Sequence, residues 1–173
     1  YGKLDYLINN YSQNQSPDEI TIAPSWNKSK EYLILIDKII TVLIDKFKIR
    51  FRPHKASFKY HAKDINKIIS KFSKKKNFIL DLDDNSFDYI LNAKYFITDW
   101  SGSSFEYAFF TLRPVIFLDT QPKVNNLNFK KIDIDPAEIM IRDKMGLILE
   151  YDEIDYIEKK FDIIDFGIKD FND

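Results

Sequence analysis

Cysteine is absent from all 173 residues, which excludes a disulfide framework and any thiolate metal site. A reducing, cytosolic setting is compatible with that absence. Histidine occurs only twice, as His54 and His61. An excess of either charge is also missing. The 26 basic and 27 acidic side chains leave a net charge of −1, which argues against a nucleic-acid partner held by bulk charge. Any anion site must therefore be local. No long apolar run is present either: Tyr32 to Ile44 is broken by Asp37, Lys38 and Thr41 and is too short to span a bilayer. No signal-peptide pattern is visible, and the chain opens on Tyr1, so it reads as a fragment with more protein on its N-terminal side. Internal repeats, low-complexity tracts and linkers are lacking.

What remains is a folded chain, with 45% apolar and 16% aromatic residues. Its length suits one domain, or one lobe of a larger protein. Heavy use of isoleucine, lysine, asparagine and phenylalanine reads as the product of an AT-rich bacterial genome. A brief helix can follow Leu4, and Ile20–Ala23 reads as a strand stopped by Pro24-Ser25-Trp26. Tyr32, Ile36, Ile39, Leu43 and Phe47 recur at helical spacing. Ile49–Arg52 is a strand ended by Pro53-His54, 61–75 is helical, and Phe78–Leu82 is a strand. Asp84-Asn85 can cap a short helix through Leu91. Residues 119–135 read as a polar loop, Pro136 starts a short helix, Leu147–Leu149 is a last strand, and 152–161 is a charged helix. Apolar strands alternating with helices predict an α/β fold, a Rossmann-like parallel sheet with helices on both faces.

The most informative stretch runs from Ala93 to Leu118. An apolar strand, Ala93–Thr98, meets Asp99-Trp100-Ser101-Gly102-Ser103-Ser104. An amphipathic run, Phe105–Leu112, follows, and Arg113-Pro114 closes it before a second strand, Val115–Leu118. A helix opening on Ser-Gly-Ser-Ser offers free backbone N–H groups, hydroxyl donors and a positive dipole end, a natural seat for phosphate. Ligands of parallel sheets bind beyond the carboxyl ends of the strands. Three such ends carry unusual chemistry here: Pro24-Ser25-Trp26, Arg52-Pro53-His54 and Thr98-Asp99-Trp100-Ser101.

Those residues, in that order, resemble the CDP-glycerol glycerophosphotransferase family, which builds teichoic acids and related bacterial surface polymers. The matching segments are Ala23-Pro24-Ser25-Trp26, Arg52-Pro53-His54 and Thr98 to Tyr107, with a looser likeness at Gly2-Lys3-Leu4-Asp5. The resemblance covers roughly residues 1–150 and departs at Lys55, Trp100, Gly102 and Glu106. It implies one lobe of a GT-B architecture, the C-terminal lobe that holds an activated donor, with an N-terminal acceptor lobe missing. The implied partners are a nucleotide-diphosphate donor, CDP-glycerol or a nucleotide-sugar, and a polymeric or lipid-linked acceptor. It further implies cytoplasmic work at the inner face of the cell membrane, without cofactor or metal. The alternatives are an epimerase lobe and a non-catalytic nucleotide-binding or partner-docking domain.

Each candidate has a plainer reading. Ser101, Gly102, Ser103 and Ser104 can cradle a diphosphate or merely cap a helix, since Ser103 and Glu106 fit a capping box. Glu106 otherwise suits a ribose diol. His54 can donate to the diphosphate or serve as general acid toward the leaving group. Arg52 can clamp phosphate bidentately, or point into solvent with its apolar stem on the sheet. Asp99 can bind donor, orient the serine turn or accept in an Asx turn. Ser25 belongs to the donor rim by position, and Lys123 and Arg142 can close over phosphates from late loops, with a solvated surface place as the plain reading of both. His61 reads as structural, Lys74-Lys75-Lys76 as a solvated helix end, and Asp81-Leu82-Asp83 is rejected as a metal motif.

Overall fold

A computed structural model describes residues 2–12, 16–122 and 137–170. Lys123 and Pro136 lie outside those residues. Six strands form one wholly parallel sheet: β1 (Glu19–Ile22), β2 (Lys48–Phe51), β3 (Phe78–Leu80), β4 (Ala93–Thr98), β5 (Val115–Leu118) and β6 (Gly146–Leu149). Their spatial order is β3-β2-β1-β4-β5-β6, the doubly wound Rossmann order. The order reverses between β1 and β4, which makes their carboxyl ends the topological switch point.

Eight α-helices are described: α1 (Gly2–Asn10), α2 (Glu31–Leu43), α3 (Lys55–Tyr60), α4 (Ala62–Phe72), α5 (Asp88–Leu91), α6 (Ser103–Thr111), α7 (Ala137–Met145) and α8 (Glu158–Asp170). A 3-10 turn, Tyr151–Tyr156, precedes the last of these. One sheet face packs Ile20, Ile22, Ile49, Phe51 and Ile97 against the stripe Tyr32, Ile36, Ile39, Ile40 and Leu43 of α2, with α4 and α8 beside it. The other packs Phe96, Val115 and Phe117 against Leu7 of α1, Tyr89 and Ile90 of α5, and Tyr107 and Phe110 of α6. Because both faces are covered, all four residues of β1 and of β5 are buried. Each buried Ile or Leu stabilises the fold by about 1.5–3 kcal/mol.

The differences from the sequence reading have local causes. Helix α3 forms where only a connection was read, because His54 Nδ1 accepts the Ala56 N–H at 3.0 Å and caps it. Helix α5 starts at Asp88, not behind Asp84-Asn85. Asp84 instead pairs with Lys55, and Ser86 Oγ accepts the Asp88 N–H. Phe47 falls outside α2, its N–H bonded to the Leu43 carbonyl. The terminal charged helix is two pieces, and a capping box of Glu150 with Glu153 opens the first.

Candidate functional site

Three chain segments leave the sheet at its carboxyl edge and meet. β1 runs into Ala23-Pro24-Ser25, β2 into Arg52-Pro53-His54, and β4 into Asp99-Trp100-Ser101-Gly102 and then α6. Between them opens a cleft of about 370 Å³. Arg52 and His54 line one side of it, and Ser101, Gly102, Ser103 and Glu106 line the other. Lys3, Lys55, Asp84 and Tyr89 complete the wall.

The first turn of α6 faces this cleft. Its N-cap is Gly102, with φ −60° and no side chain to cap with, and the Ser103–Glu106 capping box does not form. The Ser103 N–H reaches Ser101 Oγ at 3.4 Å, and the Ser104 and Phe105 N–H groups donate to the Ser101 and Gly102 carbonyls at 3.1 and 3.2 Å. Glu106 turns away from the helix end instead. It accepts from the Tyr89 hydroxyl at 3.0 Å and pairs with Lys3 Nζ at 2.7 Å. Lys3 also donates to the Tyr89 oxygen at 2.7 Å. Burial, reinforced by the Glu106 charge, pushes the Tyr89 phenol far above its ordinary range and keeps it a donor. Ser101 Oγ and Ser103 Oγ share a 2.8 Å hydrogen bond at the mouth of the turn.

The capping bond also defines the chemistry of His54. A ring nitrogen that accepts a backbone N–H carries no proton, so Nδ1 is the acceptor and the ring proton sits on Nε2. Protonating Nδ1 would break the α3 cap. Beside His54, Lys55 pairs with Asp84 in the cleft wall, and that hydrogen bond lowers the Asp84 pKa.

Four of the residues singled out in the sequence lie beneath this cleft rather than in its wall. The Ser25 N–H and hydroxyl donate to Asp99 Oδ1 and Oδ2 at 2.6 and 2.9 Å, tying the β1 loop to the β4 loop across the switch point. Asp99 is thus an inter-loop brace and not an Asx turn. Ser104 is buried and donates to the Ser101 carbonyl at 2.8 Å, which shapes the turn from below. Arg142 is not a solvated surface residue. Its guanidinium lies 4.1 Å from the Trp100 ring centroid and 4.9 Å from that of Phe117, and it donates to the Leu118 carbonyl. Burial lowers its pKa, opposed by Asp99, Asp119 and Asp143. His61 bonds the Asn27 carbonyl at 2.7 Å, in keeping with a structural part. Asp81 accepts from arginines, and no group able to hold a metal is found among the described residues.

Sequence reasoning missed Tyr89, met Lys3 only within the looser Gly2-Lys3-Leu4-Asp5 likeness, and met Asp81 only as a rejected metal motif. Tyr89 sits in the apolar pattern of a short helix, and Lys3 lies 103 positions from the carboxylate it meets. Neither carries a local signal. No protein-family model and no curated protein matches the sequence. Among solved structures, the wall teichoic acid polymerase TagF, soaked with CDPG, is similar over 95% of this chain and 40% of its own, at 21% identity and a TM-score of 0.44. The crystal structure of TarM is similar over 91% of this chain and 31% of its own, at 16% identity and a TM-score of 0.52. This chain spans less than half the length of either, and the likeness to TarM shows a shared fold.

Proposed function

We propose that this chain is the donor-binding lobe of a GT-B transferase that moves glycerol phosphate or a sugar from a nucleotide-diphosphate donor to a bacterial cell-surface polymer. The observation that carries the reading is the convergence of Arg52, His54 and the Ser101-Gly102-Ser103 turn that opens α6 on one cleft at the strand ends. The first turn of α6 turns its positive dipole end and the Ser101 and Ser103 hydroxyls toward whatever occupies the cleft. In this reading the diphosphate sits on Ser101, Gly102 and Ser103, with His54 donating from Nε2 and Arg52 adding charge. As the bond to the leaving phosphate breaks, charge grows on oxygens already facing these fixed donors, which lowers the barrier. The cap on His54 favours a hydrogen-bond donor over a general acid, because a neutral Nε2–H imidazole releases its proton poorly. Glu106 reaches the ribose hydroxyls once Lys3 turns to the phosphates.

The acceptor and the general base come, in this proposal, from a second lobe facing this one. For a lipid-linked acceptor the whole enzyme works at the inner face of the cell membrane. No described helix is long and apolar enough to cross one. Gly102 and Glu106, which depart from the glycerophosphotransferase pattern, favour a nucleotide-sugar as the alternative donor. Calorimetric titration with CDP, UDP, CMP and ADP is the test. Binding of a nucleoside diphosphate more tightly than its monophosphate is expected, and the preferred base identifies the donor. No detectable binding of any of the four would overturn the donor-lobe reading.

A further inference from the structure

Arg50 and Arg52 lie two residues apart on the β2 segment, so their side chains project from the same sheet face. A line of alternating charge runs through them. Glu19 of β1 accepts from Arg50 Nε at 2.6 Å and from Nη2 at 3.3 Å. Asp81, just past β3, divides its two oxygens: Oδ2 lies 3.4 Å from Arg50 Nη1, and Oδ1 lies 2.6 Å from Arg52 Nη1. The Asp81 side chain is 2% exposed and that of Glu19 3%, while Arg52 at 18% is the end that emerges into the cleft. Burial alone would lower the Arg50 pKa, but Glu19 and Asp81 outweigh it and the net shift is upward.

Buried charge networks of this kind contribute little net stability compared with apolar packing of the same volume. Their geometry is what distinguishes this one. Arg52 Nη1 also donates to the Asp83 carbonyl at 2.7 Å, and its guanidinium lies 4.3 Å from the Tyr89 ring centroid. Both described hydrogen bonds of the guanidinium therefore use a single nitrogen, and the Tyr89 ring packs against the group. Among the described residues neither Nε nor Nη2 of Arg52 has a hydrogen-bond partner. Resting on the donor-lobe reading, we propose that Asp81, anchored from behind by Arg50 and Glu19, is the positioning residue that presents this edge of Arg52 to the diphosphate. An arginine already held in place loses little side-chain freedom when the anion arrives, so its charge is used without an ordering cost.

Inorganic pyrophosphate is the probe, titrated calorimetrically into wild type, Asp81→Asn, Arg52→Ala and the double variant, with melting temperatures measured alongside. Asp81→Asn is expected to weaken pyrophosphate about tenfold, and the double variant to bind no more weakly than Arg52→Ala. A lower melting temperature with unchanged pyrophosphate affinity, or losses that multiply in the double variant, overturns the proposal. If Asp81→Asn does not fold, Arg50→Gln removes the anchor without touching ligand. A severalfold weaker affinity is then expected, and an unchanged one is fatal. Should wild type bind neither pyrophosphate nor nucleotide, the donor-lobe reading fails by itself. A crystal structure of Asp81→Asn then decides the positioning role: Arg52 leaving the face of Tyr89 supports it, and Arg52 in place overturns it.

Discussion

Gly146 opens β6 directly opposite Val115 of β5, and a Cβ added there would lie 1.8 Å from the Val115 carbonyl oxygen. The clash is with backbone, which cannot rotate away, so one of the two strands must shift. Gly146→Ala is expected to cost about 3 kcal/mol or more, read as a lower urea midpoint with an unchanged slope. The cleft residues call for subtler changes, because His54 both caps α3 and faces the ligand space. His54→Ala removes both parts and loses about 1 kcal/mol with the cap. Asparagine retains a capping acceptor, so His54→Asn should melt close to wild type while binding CDP or UDP more weakly, with the matching nucleosides unaffected. Equal losses for nucleoside and diphosphate would reduce His54 to a cap. Ser103 supplies no cap, so Ser103→Ala should change stability by less than about 0.5 kcal/mol and still weaken the diphosphate.

Helix α6 ends at Leu112, which has φ 56° and ψ 31° and is 79% exposed. A left-handed conformation costs an L-residue roughly 1–2 kcal/mol, and glycine escapes that cost. Leu112→Gly is therefore expected to raise stability by about 0.5–1 kcal/mol in urea titration, despite the greater freedom of glycine in the unfolded chain. A loss of stability would mean that the leucine side chain makes packing contacts that outweigh the strain. The same stretch shows what can be read from sequence. β4 and β5 were legible to the residue, since apolar runs bounded by Asp99 and by Arg113-Pro114 fix their ends. The switch-point rim was legible as three strand ends. Helix α3 was not, because six residues carry no periodicity and the histidine that caps it is an uncommon choice. The Ser103–Glu106 capping box failed for a different reason. Its spacing is correct, but Lys3 and Tyr89 draw Glu106 away through pairings that no local pattern encodes. The plain reading of Arg142 as a solvated side chain failed likewise, since the aromatic faces of Trp100 and Phe117 that enclose it come from other elements.

Across the whole molecule, the pH response on the alkaline side involves buried phenols. Burial, the largest cause in each case, raises the pKa of Tyr32, Tyr89, Tyr95 and Tyr107 above the ordinary tyrosine value. The unfolded chain releases these protons near pH 10, whereas the folded chain retains them. The stability they contribute is fully present below that pH and is lost as pH rises toward the folded values. Each retained proton costs roughly 1.4 kcal/mol per pH unit above pH 10. Tyr89 and Tyr107, raised furthest, predict a loss of about 1.5 kcal/mol between pH 8 and pH 10.5, and Tyr32, Tyr95 and Lys94, whose pKa values are also raised, act in the same direction. With no cysteine in the chain, thiolate formation cannot confuse the measurement. Urea titrations at several alkaline pH values, with tyrosinate absorbance followed in parallel, should show ionisation and unfolding together. Tyr107 gives the control. It stacks on Phe96 at 4.7 Å and donates to the Lys94 carbonyl at 3.0 Å. Tyr107→Phe keeps the stack, loses about 1 kcal/mol at pH 8 with the hydrogen bond, and should make the alkaline decline shallower. A decline as steep in the variant as in wild type would move the cause from the buried phenols to the lysine ion pairs.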